Sequence, residues 1–356
     1  MKDIGSIFPL YTKDLTFAKG ANSPIEDEGR VLYSLCREAL YEIARVHGDS
    51  RKKVLIPAYT CMTVASPFIE KGWECGYYSI DRQLRVDGKH LMAMASQFHP
   101  DIVVAHPFYG MDFNEIEIAL LKDIKSMGIT LVVDLTQCAF SKQRLPFVDY
   151  YVGSLRKWMP MPDGGFLETS DERRHLFCEE RDCNTDFATK QADSMYLRGL
   201  YFENDDQTVK DISRRINKEA VLSARAKTTP HRIAPLSYAI MKSEDEEKNV
   251  SCRISNFKVL FDGLKGNGKY KPVCQDIADV TTAPLYFTIY TEIRQEMQKK
   301  LAESHIYAPV IWPLGTEDML VSEDVRYIYD HILAIPCDQR YDREDMNKII
   351  NFINSL

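Results

Sequence analysis

Between about residue 30 and residue 170 the sequence alternates short apolar runs with stretches that repeat apolar side chains every three or four residues. That alternation confines the chain to a largely parallel sheet covered by helices. Val31 to Val46 reads as a helix on the spacing of Leu32, Leu35, Ala39, Leu40 and Ile43, and Val54-Leu55-Ile56-Pro57 as a strand leading to a helix over 63–71. Gly76 to Ile80 and Ile102 to Ala105 read as further strands, and Glu115 to Met127 as an amphipathic helix. Two more apolar runs follow: Ile129 to Val133, which ends at Asp134, and Phe147 to Gly153, which ends in Ser154-Leu155-Arg156-Lys157. In open α/β sheets ligands gather at the carboxyl ends of the strands. Asp134 and Lys157 are expected there, at neighbouring strand ends.

The remainder supports a second, smaller unit. The segment 172–226 is polar and helix-compatible, and a charged stretch, Ser243 to Lys248, offers a boundary. Beyond it come a helix through Arg253 to Leu260, a glycine-rich turn at 263–268, a strand-like run over 283–289, a helix over 292–304, the run Ala308 to Pro313 and a last helix from Arg343. We expect a large domain over 1–245, with an N-terminal arm over 1–28, and a small α+β domain over 246–356. With 356 residues and 45% apolar content the chain can fill two cores.

Charge and cysteine content narrow the function classes. A formal charge of -7 with both signs interspersed provides no basic field for nucleic acid. The nine cysteines form no CxxC pair and no zinc spacing, so reduced thiols and no metal site are expected. No window approaches the roughly 18 apolar residues of a membrane span, and the charged N-terminus lacks a signal-peptide core. The expectation is a cytoplasmic protein without membrane or nucleic-acid partners.

The chemistry centres on Lys157. A lysine amine is protonated at neutral pH, and enzymes that use it as a nucleophile depress its pKa by burial or cationic neighbours. Arg156 precedes Lys157, and Trp158 with Pro160 and Pro162 can exclude water from it. Set against this is an ordinary lysine at a sheet edge. The partner residues decide between them: an amine and a carboxylate at adjacent strand ends are what pyridoxal 5'-phosphate requires, the carboxylate keeping the pyridine nitrogen protonated so that the ring withdraws electrons. Gln137 can hydrogen-bond the ring substituents. Ser154, and the helix start at Ser34 with Cys36 and Arg37, can hold the phosphate. Tyr59 can offer an aromatic face, with core packing as its alternative.

Taken in order, these segments resemble the DegT/StrS family of aminotransferases among the fold-type I pyridoxal phosphate enzymes. Val54 to Thr60 looks like that family's strand and phosphate-side loop, and His106-Pro107-Phe108-Tyr109-Gly110 like its H-x-x-G strand end. Val133 to Gln137 is similar to its E-D-x-x-Q element, and Gly153 to Lys157 with Gly164-Gly165 to its S-x-x-K motif and double glycine. The chain departs from the pattern twice. Leu35-Cys36-Arg37 stands where Ser-Gly-Thr or Ser-Gly-Arg is usual, and Cys61 stands where some relatives place the aromatic that stacks on the cofactor, leaving that role to Tyr59 or another residue.

The resemblance implies an aminotransferase in which Lys157 forms the Schiff base, Asp134 meets the pyridine nitrogen and Gln137 lies by the ring. Ser154, Cys36, Arg37, Tyr59 and Cys61 fall in its cofactor-binding positions. It implies an amino acid donor such as glutamate, a carbonyl acceptor such as a nucleotide-linked keto sugar, and a homodimer with shared sites, for which Asn184, Lys190 and Arg198 are candidate contributors. Arg340, after the run His331 to Ile335, and His106 are expected to touch substrate, Arg340 through a bidentate contact or else as half of an Arg-Asp corner. Other pyridoxal phosphate chemistry, or a non-catalytic sensor or scaffold on the same fold, are the rival readings.

Overall fold

A computed structural model of the chain describes residues 3–17, 22–226 and 228–356. The larger sheet is built from β1 (Glu26–Asp27), β2 (Arg30–Tyr33), β3 (Lys53–Pro57), β4 (Glu74–Tyr78), β5 (Ile102–Ala105), β6 (Thr130–Asp134), β7 (Tyr150–Ser154) and β8 (Gly165–Glu168). Their spatial order is β1-β2-β8-β7-β6-β5-β3-β4. The pairings from β4 through β7 are parallel, and β8 runs antiparallel to both β7 and β2. The three-stranded sheet consists of β9 (Tyr270–Pro272), β10 (Phe287–Thr291) and β11 (Ile332–Ile335), antiparallel in the order β11-β10-β9.

Helices α1 (Thr12–Phe17), α2 (Cys36–Val46), α3 (Met62–Glu70), α4 (Gly88–Phe98), α5 (Glu115–Ser126) and α6 (Asp171–Arg174) accompany the large sheet in sequence. A long hairpin, α7 (Thr185–Asn204) and α8 (Gln207–Ala226), follows, and α9 (Pro235–Ser243) ends just before α10 (Glu246–Gly263). Last come α11 (Arg294–Glu303), α12 (Glu323–His331) and α13 (Arg343–Ser355). Among the described residues no helix is long and apolar enough to cross a membrane.

Every residue of β5 is buried, as are Val54, Leu55 and Ile56 of β3, because helices cover both faces of the parallel strands. One apolar core surrounds this sheet, and it also takes in Tyr290, Trp312, Ile328 and Tyr329 from the C-terminal third. A second core, around Leu260, Phe287, Met297, Leu333 and Ile349, fills the space between the three-stranded sheet and α10, α11 and α13.

One local expectation changes. The helix expected from Val31 begins instead at Cys36, and Arg30 to Tyr33 form β2, with Val31 opposite Leu167 and Leu32 opposite Phe166 of β8. A buried strand and a helical face share the same apolar spacing over four residues, and only the distant partner strand decides between them. The run Ala308 to Pro313 is irregular, and its Pro309 and Pro313 lack the N–H groups a ladder needs.

Candidate active site

Strands β6 and β7 lie side by side and parallel, with Asp134 opposite Val152, so their carboxyl ends open on the same region. Lys157 ends a single 3-10 turn, Leu155–Lys157, directly after β7. Leu155 N–H donates to the Gly164 carbonyl at 2.9 Å, folding the turn back onto the glycine pair. The Trp158 indole N–H donates to the Thr136 carbonyl at 2.9 Å, which fastens the lysine turn to the turn after Asp134. Trp158 is fully buried, with the Arg253 guanidinium 4.6 Å from its ring centre.

Asp134 is 4% exposed; one carboxylate oxygen accepts the Thr136 N–H at 2.8 Å and the other lies 3.7 Å from Nδ1 of His106. His106 follows β5, and its Nε2 meets the Thr60 hydroxyl at 2.8 Å. Burial lowers its pKa although Asp134 pulls the other way, so the ring is neutral near pH 7. Gln137 is 2% exposed, and among the described residues the buried polar atoms of its amide make no well-formed hydrogen bond, with only the Tyr109 hydroxyl acting on them. Native interiors rarely leave such an amide with so few partners, and water or a ligand completes it.

A cavity of about 310 Å³ gathers these groups. Asp134, Gln137, Ser154 and Lys157 line it beside Cys36, Arg37 and Cys61. Cys36 and Arg37 open α2, whose N-cap Leu35 has no side chain that can cap the helix, and the Glu38 N–H turns back to the Leu35 carbonyl at 3.0 Å. Burial pushes the Cys36 thiol well above its ordinary pKa. The Arg37 guanidinium donates to the carbonyl of Ala224 on α8. Cys61 caps α3 and accepts the Thr63 hydroxyl at 3.0 Å.

Gly165 explains how a loop without glycine fits here. A Cβ on it would stand 2.4 Å from the Cys36 nitrogen and 2.5 Å from the Leu35 carbonyl carbon. Gly164, at φ +135°, donates its N–H to the Ser34 carbonyl at 2.7 Å. The close backbone approach is supplied by the double glycine at the start of β8 rather than by the loop before α2.

A second cavity, of about 580 Å³, lies on the other side of Lys157 and is walled by the N-terminal segment Gly5 to Phe8 together with Arg156, Arg253, Tyr286, Tyr307 and Arg340. Asp338 is its one acidic lining residue among the described residues, so the walls carry net positive charge. The Arg340 guanidinium grips Asp338 at 2.7 and 2.8 Å and donates to the carbonyls of Ile7 at 3.1 Å and Ser6 at 3.2 Å. It also stacks 4.2 Å from the Phe8 ring centre. The Arg-Asp corner is therefore present, and it pins the N-terminal segment across the cavity.

No protein-family model matches the sequence, and no curated protein matches it. Solved structures do. The aminotransferase TlmJ from Streptoalloteichus hindustanus superposes with a TM-score of 0.70 at 16% identity, over 99% of this chain and 98% of its own. Helicobacter pylori PseC, an aminotransferase involved in the biosynthesis of pseudoaminic acid, gives 0.70 at 12% identity over 99% of both chains. The Streptococcus pneumoniae protein Spr1654 in its PLP form gives 0.69 at 16% identity, over 98% of this chain and 97% of that one. The chain has the fold of these aminotransferases.

Within that fold two expected residues fall outside the cavities. Tyr59 is fully buried behind the site, its hydroxyl 3.2 Å from that of Tyr109 and its ring packed on Trp312 and Tyr329, so it is core. His106 lines neither cavity and backs Asp134 instead. The three candidates for a neighbouring subunit are engaged within their own chain: Asn184 caps α7, Lys190 pairs with Asp186, and Arg198 pairs with the buried Asp3. Conversely Phe187, Tyr286, Ile311 and Trp312 line the cofactor-sized cavity. None stands near a recognisable motif. The one available signal was Trp312, an indole in a proline-flanked run too irregular for a strand.

Proposed function

We propose that the chain is a pyridoxal 5'-phosphate-dependent aminotransferase of the DegT/StrS type. The observation that carries this reading is the placement of Lys157 and Asp134 at the carboxyl ends of adjacent parallel strands, opening into one cavity with the uncapped start of α2. The residues present fit the cofactor. The buried Gln137 amide, which makes no well-formed hydrogen bond among the described residues, and the cradle kept open by Gly165 both suit a bound group. Asp134 would hold the ring nitrogen, Gln137 the ring substituents, and Ser154 with the N–H groups of Cys36 and Arg37 the phosphate. When bound, pyridoxal phosphate supplies the electron sink that lets an amine and a carbonyl exchange places.

Lys157 would hold the cofactor, and its Nζ is the group that would take up and return a proton at the substrate carbon. The second cavity receives the substrates, since it meets the same lysine and its positive walls suit a carboxylate. The donor in this reading is an amino acid such as glutamate, and the acceptor a carbonyl compound of the keto-sugar class, nucleotide-linked. Spr1654, described as a putative sugar aminotransferase, supports the sugar part of that reading. A cytoplasmic homodimer completes the proposal.

Purified protein mixed with pyridoxal phosphate should turn yellow, lose the colour on adding glutamate and release 2-oxoglutarate, with the colour restored by an acceptor keto sugar. Protein that stays colourless would sink the cofactor reading. Release of ammonia, sulfide or carbon dioxide in place of 2-oxoglutarate would move it to another pyridoxal phosphate reaction.

A further inference from the structure

We propose that the indole of Trp312 is the flat face against which the cofactor ring packs, filling a place that Cys61 is too small to fill; the inference rests on reading the site as a pyridoxal phosphate site. Cys61 and Trp312 line the same cavity as Asp134 and Lys157, although 251 positions separate them in the chain. A thiol offers a planar ring no face. The indole offers the largest aromatic face of any side chain, and its electron-rich surface attracts a protonated pyridine.

The ring is held in one orientation. Its centre lies 4.9 Å from that of Tyr59 at 59°, 6.2 Å from Phe108 at 69° and 6.0 Å from His106 at 39°. His106 in turn touches Asp134, which places the indole toward the carboxylate end of the cavity. Phe187, the other buried ring on the lining, has the Arg156 guanidinium 5.9 Å away, toward the lysine turn.

The loop that carries Trp312 is built onto the start of α3. A Cβ on Gly315 would lie 2.0 Å from Cγ of Met62, the residue after Cys61, so that glycine lets the loop settle directly on this turn. Tyr329 ties the same corner from α12, donating to the Ala58 carbonyl at 2.8 Å and accepting the Thr60 N–H at 3.4 Å. A small residue at position 61 and a large ring at position 312 are thus two sides of one packing solution.

The test is a titration of the apo-protein with pyridoxal 5'-phosphate, followed by absorbance and by equilibrium dialysis. If the parent protein takes up none, the cofactor reading falls. If it binds, Trp312→Leu, which keeps apolar bulk but removes the flat ring, should bind roughly tenfold more weakly, and Trp312→Phe within about twofold of the parent. Equal affinities for Trp312→Leu and the parent, or a greater loss in Phe187→Leu, would overturn the assignment. A measurement on the unaltered protein covers the case in which the leucine variant does not fold. Indole oxidation mapped by mass spectrometry should spare Trp312 when cofactor is present and leave Trp73 unchanged, and oxidation of Trp312 indifferent to the cofactor overturns the proposal.

Discussion

The two cavities that meet at Lys157 are made in different ways. The smaller is built from strand ends and helix starts of one sheet, with Asp134 and Ser154 set by the register of β6, β7 and β8 and the backbone of Leu35 and Cys36 seated on Gly165. The larger is assembled from pieces far apart in the chain, held where they are by side-chain contacts such as Arg340 to the carbonyls of Ser6 and Ile7. Sheet register fixes a group without further help, and this is where precise chemistry is best carried. A wall held by contacts of this kind can be altered without touching the chemistry.

Lys157 belongs to both, and its loss should have the largest effect. Lys157→Ala is expected to lower transamination by at least about a thousandfold and abolish the yellow absorbance, while far-UV circular dichroism stays that of the parent. Retention of the absorbance would remove Lys157 from the cofactor.

Gly165→Ala attacks the strand-built cavity alone. The added methyl meets the Cys36 nitrogen and the Leu35 carbonyl carbon, both backbone atoms that cannot swing aside. We expect about 2 kcal/mol of destabilisation in a denaturant melt, accompanied by weaker cofactor retention. An unchanged midpoint would mean that the loop before α2 yields easily, and the contrast between a rigid and an assembled cavity would lose its basis.

Arg340→Lys addresses the other side. The ammonium keeps a charge for Asp338 but cannot fork to two carbonyls as well, so the N-terminal segment should loosen. The expected result is a KM roughly fivefold higher for at least one substrate, faster proteolytic clipping near residues 5–8 and unchanged cofactor absorbance. Cofactor loss in this variant would show that the two cavities do not behave separately.

The same division explains what could be read from the sequence. Apolar runs that end in Asp134 or in Ser154 to Lys157 mark strand ends, and strand ends of a parallel sheet converge on one side. The strand-built half of the site was therefore legible from local pattern. Arg30 to Tyr33 was not, because its apolar spacing suits a helix as well as a strand and only the pairing with β8 makes it a strand. Tyr59 and Trp312 show the limit more sharply. Both are buried aromatics near the site, but the one packed behind it sits beside the motif and the one lining the cavity comes from a loop about 250 residues away. Proximity in sequence to a motif says which strand a ring belongs to, not which face it presents.

The smallest expected effect concerns what lies behind the glycine pair. Asp163 is fully buried, its carboxylate accepts the Ala234 N–H at 3.2 Å, and burial raises its pKa to about 7. Nearby, burial also raises Glu38, and its hydrogen bond with Glu38 raises His231. Each of these groups holds its proton more tightly in the folded chain than in the unfolded one, so the folded state binds more protons. Stability is then lost as pH rises, and for Asp163 the loss runs from the ordinary carboxylate value of about 4 up through the folded value. Asp163→Asn keeps an acceptor for Ala234 and removes this titration. Compared with the parent, the variant should gain in melting temperature as pH is raised from about 4 to about 8, with the difference levelling off above the folded pKa. A difference that stays constant across that range would mean that Asp163 binds its proton equally in the folded and unfolded chains, and that the backing of the glycine pair contributes no pH dependence to the strand-built half of the site.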